Sequence, residues 1–102
     1  MSVIPVRCVR CGSRAVHQHH VTYAQAVRRT GGDLDDPANL LPVCFRCHER
    51  HHTRTEPFEL GLLPDSAVEY AKELMGAGAA YVYLRRRYSG EDPRLEALVK
   101  ED

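Results

Sequence analysis

Cysteines and histidines are concentrated in the first half of the chain, at spacings that suit metal binding. Two Cys-x-x-Cys pairs, Cys8–Cys11 and Cys44–Cys47, repeat the same spacing. A turn of this kind places two sulfurs about 4 Å apart, and two such turns supply the four thiolates of a tetrahedral zinc site. Zinc held by four thiolates has no free position for water, so we predict a structural role for this site.

Two disulfides are the alternative for four cysteines in a short chain. The matched spacing, and the histidines next to the second pair, favour Zn²⁺ bound by Cys8, Cys11, Cys44 and Cys47. The N-terminal sequence does not have the regions of a signal peptide, and no apolar segment approaches the roughly 20 residues that cross a bilayer. We therefore expect a soluble cytoplasmic protein with no membrane contact.

The histidines form a second cluster that suits different chemistry. His48 and His52 are four residues apart, which on a helix places both imidazoles on one face, where they can bind one ion. His19 lies upstream on a predicted strand. Three imidazoles leave at least one coordination position open, which is typical of catalytic metal sites. His51 lies three residues from His48 and is an alternative to His52 as a ligand.

His20 and Asn39 are candidates for roles beside this metal. Neighbouring residues on a strand point to opposite sides, so His20 is not expected to bind the same ion as His19. An imidazole with an unperturbed pKa of about 6.5 can act as a general base on a nearby water molecule. Asn39 offers donors and an acceptor that can hold the backbone near this base.

Hydrophobic periodicity and turn residues predict an α+β fold. The predicted order is strand, loop, strand and helix, followed by three helices. Residues 24–29 fit either a helical turn or a loop. Ser66 and Glu69 have the spacing of a capping box, and Gly78 is a predicted break between helices. The predicted strands cover residues 16–21 and 40–43, and the predicted helices cover residues 45–53, 66–75, 77–88 and a stretch beginning at residue 93.

Residues 8–52 contain, in order, Cys-x-x-Cys, His-His, Asn and Cys-x-x-Cys-His-x-x-x-His. This order resembles the HNH endonucleases of the ββα-metal (His-Me finger) superfamily, especially small zinc-stapled proteins of phages and bacteria. The resemblance implies a ββα-metal HNH core with a four-cysteine zinc site in residues 1–56. It does not cover residues 57–102, which we expect to form a helical extension packed on or beside the core.

The resemblance also implies residue roles and an activity. His20 would be the general base, Asn39 would orient the catalytic loop, and His19, His48 and His52 would bind the divalent ion. The activity would be hydrolysis of DNA to 5′-phosphate and 3′-hydroxyl products. Because three histidines form a softer ligand set than one with a carboxylate, the plausible catalytic ions are Mg²⁺, Mn²⁺, Ni²⁺ and Zn²⁺.

Charge gives less information about partners. The formal net charge is zero, although residues 1–56 contain eight arginines and five acidic residues. Arg28 and Arg29, and the run of arginines at residues 85–87, fit either phosphate contacts or a solvated face. Double-stranded DNA is the expected partner, and a phage or host protein is a further candidate. The alternative function is a zinc-dependent DNA-binding or assembly module without catalysis.

Overall fold

The computed structural model describes residues 6–100, so the ends of both predicted domains, residues 1–5 and 101–102, lie outside the described range. Within that range the chain forms two antiparallel strands and five α-helices, which confirms the predicted α+β class, and the segment between the two strands contains a helix. No helix between residues 6 and 100 is long and apolar enough to cross a membrane. The strands are β1 (His17–His20) and β2 (Leu40–Val43), and the helices are α1 (Ala24–Thr30), α2 (Phe45–His52), α3 (Asp65–Met75), α4 (Ala77–Arg87) and α5 (Pro93–Lys100).

The two strands form a hairpin whose register determines which histidine faces inward. His19 pairs with Leu41 and His20 pairs with Leu40. Because side chains alternate along a strand, His19 lies on the same face as its buried partner Leu41, whereas His20 lies on the other face. The first strand is one residue shorter at each end than predicted, but Val16 and Val21 still donate backbone hydrogen bonds across the hairpin.

The first helix resolves the alternative that the sequence left open for residues 24–29, because they belong to α1. The helix ends at Gly31, which has a φ of 78° and donates its N–H to the carbonyl of Arg28, while Gly32 donates its N–H to the carbonyl of Val27. A left-handed residue at this position is a common helix stop, and glycine adopts it without strain. The helix buries Val27.

Two details of the helical half differ from the sequence prediction. The third helix begins at Asp65 behind Pro64 and has no side-chain cap, so the predicted capping box of Ser66 and Glu69 is wrong. The break between α3 and α4 falls at Gly76, which has a φ of 90°, and Gly78 lies inside α4. Gly76 separates α3 from α4 because its positive φ is incompatible with a right-handed helix.

One hydrophobic cluster joins the metal-rich half to the helices. Of its sixteen buried members within residues 6–100, five precede residue 57 and eleven follow it. Arg10 adds a polar link, because its Nη2 donates to the carbonyl oxygens of Glu56 at 2.8 Å and Pro57 at 2.7 Å. Its guanidinium also lies 5.0 Å above the ring of Phe58. The helices therefore supply most of this core, and an independent unit ending at residue 56 stays a prediction.

Candidate metal centre and active site

Two turns bring the four cysteines together. Cys8 and Cys11 flank a tight turn that ends at Gly12, which has a φ of 77°. Cys44 is the N-cap residue of α2, and Cys47 lies in the first turn of that helix. The four sulfurs all lie within 4.8 Å of one another, and the Cys11 and Cys44 sulfurs are 3.6 Å apart. In a tetrahedron with Zn–S bonds of about 2.3 Å, sulfurs are about 3.8 Å apart, so the arrangement fits zinc.

The four thiols differ in how readily they ionise. They are free thiols rather than disulfides. The backbone N–H of Cys47 lowers the pKa of the Cys44 thiol to about 6, and the Ser13 hydroxyl lowers that of Cys11. Burial raises the pKa of Cys47 to about 12. A metal such as zinc would favour the thiolate form of all four when it binds.

Three histidines converge at a second position. Ring nitrogens of His19, His48 and His52 lie within 4.8 Å of one another, although His19 is on β1 and the other two are on α2. The Nε2 atoms of His48 and His52 are 2.9 Å apart. Two nitrogens bound to one ion at about 2.1 Å lie about 3.0 Å apart at a right angle and about 3.4 Å apart in a tetrahedron. The three imidazoles could therefore bind one divalent ion.

Tyr88 determines which nitrogen of His19 is available to a metal. The Tyr88 hydroxyl donates to the carbonyl oxygen of Val21 at 2.6 Å and lies 2.8 Å from Nε2 of His19. Because its one hydrogen is directed at Val21, the hydroxyl oxygen must accept a hydrogen bond from His19 Nε2–H. The neutral ring then has its lone pair on Nδ1. A second-layer hydrogen bond of this kind commonly orients a metal-binding imidazole and selects its tautomer.

His51 is occupied by other contacts. Its Nδ1 accepts a hydrogen bond from the backbone N–H of Phe58 at 2.9 Å, and its Nε2 lies 2.8 Å from the Tyr23 hydroxyl. The ring also stacks on Phe58 and Tyr88, with centroids 4.7 and 5.0 Å away. Both nitrogens therefore have partners within the protein, and this geometry favours His52 over His51 as the third member of the cluster.

Burial lowers the pKa of three histidines in and beside the cluster. Burial, followed by the neighbouring histidines, lowers the pKa of His19 to about 2 and that of His51 to about 4. Burial also lowers the pKa of His48. Two members of the cluster, His19 and His48, therefore favour the neutral imidazole, which keeps the lone pair that a metal requires.

His20 faces the same cleft as the cluster. A cavity of about 350 Å³ is lined by His19, His20, His48 and His52 together with residues that follow β1. His20 is half-buried and is not part of the group of converging ring nitrogens. His20 therefore lies beside the three converging histidines without being one of them. Such a residue can exchange a proton with a molecule in the cleft.

Asn39 holds the backbone that follows β1. Its Oδ1 accepts the N–H of Thr22 at 2.7 Å, and its Nδ2 donates to the Thr22 carbonyl oxygen at 2.8 Å. Both Asn39 and Thr22 are fully buried. The side chain thus continues the hairpin pairing by two hydrogen bonds and fixes the chain just beyond His20.

The remaining predicted site residues lie on α1. Arg28 and Arg29 are both exposed in its last turn, and Arg29 alone of the two lines a groove between α1 and α4. Tyr88 is a site residue that sequence reasoning missed. Tyr88 lies at the end of the helix predicted over residues 77–88, and no local pattern indicates the partner of its hydroxyl.

Comparison with known protein families gives one match, and it lies in the metal-rich half of the chain. Residues 8–54 match the family model described as HNH endonuclease. The match is slightly less than half of the chain, and it contains both cysteine pairs and the whole histidine cluster. A search of curated proteins found no match, and a search of solved structures found none.

Proposed function

We propose that this protein is a metal-dependent HNH endonuclease, because residues 8–54 belong to the HNH family, whose members are typically endonucleases that act on DNA. Its substrate is double-stranded DNA, and its products carry a 5′-phosphate and a 3′-hydroxyl. The observation that carries the proposal is the convergence of His19, His48 and His52 beside a cleft that His20 also lines.

The two clusters have separate tasks in this proposal. Cys8, Cys11, Cys44 and Cys47 bind a structural zinc that fixes the start of α2 against the first turn. His19, through Nδ1, together with His48 and His52, holds the catalytic cation, which is Mg²⁺, Mn²⁺, Ni²⁺ or Zn²⁺. When bound, this cation supplies Lewis-acid stabilisation of negative charge on the phosphate and on the leaving 3′ oxygen.

The side chains then perform the proton transfer. A ring nitrogen of His20 removes a proton from a water molecule as the water oxygen attacks the phosphorus atom. The bond from phosphorus to the 3′ oxygen breaks, and the 3′ oxygen acquires a proton from solvent. Asn39 keeps the backbone beyond His20 in place through Thr22, and the exposed Arg28 and Arg29 contact phosphates.

The free thiols suit a reducing compartment, so we propose a cytoplasmic location with DNA and a phage or host protein as partners.

A plasmid nicking assay tests the proposal. Zinc-loaded protein is incubated with supercoiled plasmid in the presence of Mg²⁺, Mn²⁺, Ni²⁺ or added Zn²⁺. We expect relaxed or linear DNA with at least one ion, and we expect His20→Ala to reduce cleavage about 100- to 10,000-fold, the usual contribution of a general base. His17→Ala is the matched control because His17 is an exposed histidine on the same strand.

Metal counting by elemental analysis separates this proposal from its rivals. Two ions for each chain, one tight and one exchangeable, are expected, and His19→Ala should lose only the exchangeable ion. DNA binding without strand scission under every condition would instead identify a zinc-dependent binding module. Undiminished cleavage by the His20→Ala variant would refute the assignment of the base.

A further inference from the structure

A groove runs between α1 and α4, next to the active-site cleft. Its volume is about 630 Å³, which lies within the range of sites that bind small ligands. Ala26, Gly78 and Ala79 contribute small side chains or none, and Val82 is 46% exposed. We call this feature the α1–α4 groove. Its floor is apolar and open to solvent, so it can accept a flat apolar group.

The charges along the α1–α4 groove are all positive. Arg29 contributes from α1, and Arg86 and Arg87 contribute from the last turn of α4. No carboxylate is among the lining residues, and none of the three arginines forms an ion pair within residues 6–100. By contrast, Arg85 of the same run pairs with Glu96 at 3.3 Å. An anionic partner therefore fits the groove.

Aromatic side chains at one end of the groove form a rigid stack. The Arg87 guanidinium lies 3.8 Å from the ring centroid of Tyr83 and 5.3 Å from that of Tyr23. The Tyr83 hydroxyl accepts the backbone N–H of Tyr23 at 2.8 Å, which fixes the ring. Tyrosine rings and arginine planes beside an apolar floor are the surfaces on which unpaired nucleobases stack.

The groove and the active-site cleft adjoin each other. Tyr23 and Gln25 line both of them. A strand that places one phosphate near His20 could therefore extend past these two residues into the α1–α4 groove. The volume of the groove, about 630 Å³, suits one or two nucleotides of a single strand.

From these observations we propose that the α1–α4 groove binds unpaired nucleotides that flank the scissile phosphate. Arg29 and Arg86 contact the phosphates, and the bases lie on the apolar floor against the Tyr83–Arg87 stack. This inference rests on the proposed nuclease function and makes it more specific, since the preferred substrate is a duplex that adjoins a single-stranded segment.

Binding measurements with the full-length His20→Ala protein test this inference without cleavage. Fluorescently labelled duplexes with and without a single-stranded overhang are titrated at several salt concentrations. We expect the overhang to increase affinity about five- to 100-fold, the range for stacking of one base. Replacing Arg29 and Arg86 together by alanine should abolish this gain. For the overhang duplex, it should also reduce the slope of log K against log salt by about 1.4, because each phosphate contact with a single strand contributes about 0.7.

A filling substitution tests the groove without removing charge. Gly78→Leu lies inside α4, and a Cβ added there has no atom within 4 Å, so the helix should fold normally. We expect this variant to lose the overhang preference while keeping its affinity for blunt duplex. Arg85→Ala is the charge control, because Arg85 belongs to the same run but pairs with Glu96 outside the groove.

Three results would overturn the inference. The first is equal binding of both duplexes, and the second is an unchanged salt slope when Arg29 and Arg86 are replaced. The third is an effect of Arg85→Ala on overhang binding equal to that of replacing Arg29 and Arg86. If these results occur in a protein that cleaves plasmid DNA, the groove is not a nucleic-acid surface although the proposed nuclease function stands. If the overhang preference and its loss in the groove variants are found but no ion supports cleavage, the nuclease proposal fails while the groove still binds nucleotides.

Discussion

Replacing Tyr88 with phenylalanine tests whether the helical extension tunes the proposed metal site of His19, His48 and His52. The substitution removes one oxygen and keeps the ring that stacks on His51. His19 Nε2–H then has no acceptor at its present position, and the Val21 carbonyl loses its donor. Both groups are fully buried, so water cannot easily replace the hydroxyl.

The size of the effect follows from these two lost bonds. A buried polar group left unpaired costs about 1–3 kcal/mol, so with two such groups we expect the free energy of unfolding to decrease by about 2–6 kcal/mol. The preference of His19 for the Nε2–H tautomer also weakens, which reduces the availability of the Nδ1 lone pair. Loss of a second-layer partner typically weakens metal binding by about 10- to 100-fold, equivalent to about 1.4–2.7 kcal/mol.

Calorimetric titration of the zinc-loaded protein with Mn²⁺ or Ni²⁺ measures this affinity directly. Long-range ¹H–¹⁵N correlation of the imidazoles reports the tautomer of His19, which we expect to be Nε2–H in the unsubstituted protein. Tyr70→Phe is the matched control. Tyr70 is another tyrosine of the helical extension, and its hydroxyl donates to the Asp33 carbonyl oxygen at 2.8 Å, away from the histidines.

Three outcomes would contradict this reasoning. If Tyr88→Phe binds the second ion as tightly as the unsubstituted protein, Tyr88 has no influence on the site. If Tyr70→Phe weakens ion binding equally, the effect is a general loss of stability. An Nδ1–H tautomer of His19 in the metal-free protein would contradict the assigned direction of the hydrogen bonds.

Two further predictions concern buried polar contacts. Asn39→Ala leaves the backbone N–H and carbonyl of Thr22 unpaired, at about 1–3 kcal/mol each, and should reduce kcat in protein that is still folded and zinc-loaded, as measured by denaturant unfolding and plasmid cleavage. Hydrogen bonds from Arg94 lower the pKa of Asp92 from its ordinary value of 3.8. Because the folded pKa is the lower one, the pair contributes stability above about pH 3.8 and loses it as the pH decreases. Asp92→Asn keeps the oxygen that caps α5 but removes the charge, so its unfolding free energy should be lower at pH 7 and depend less on pH between 5 and 2. An unchanged pH dependence would contradict the assignment.

The sequence by itself determined the parts of the site that depend on local geometry. A Cys-x-x-Cys turn sets the distance between its two sulfurs, and a separation of four residues on a helix places His48 and His52 on one face. Local sequence patterns also predict the strand at residues 40–43 and a helix that begins at Phe45, and both lie where the structure has them. Alternation along β1 also places His19 and His20 on opposite faces of the strand.

The tertiary structure decided every feature that depends on residues distant in the sequence. Tyr88 lies 69 residues from His19, and only the tertiary structure brings its hydroxyl to the imidazole. The two nitrogens of His51 have their partners in Phe58 and Tyr23, and Arg29, but not Arg28, lies in the groove beside α4. Local spacing has no information about these contacts because they arise when helices from the second half of the chain complete a core that the first half cannot fill by itself.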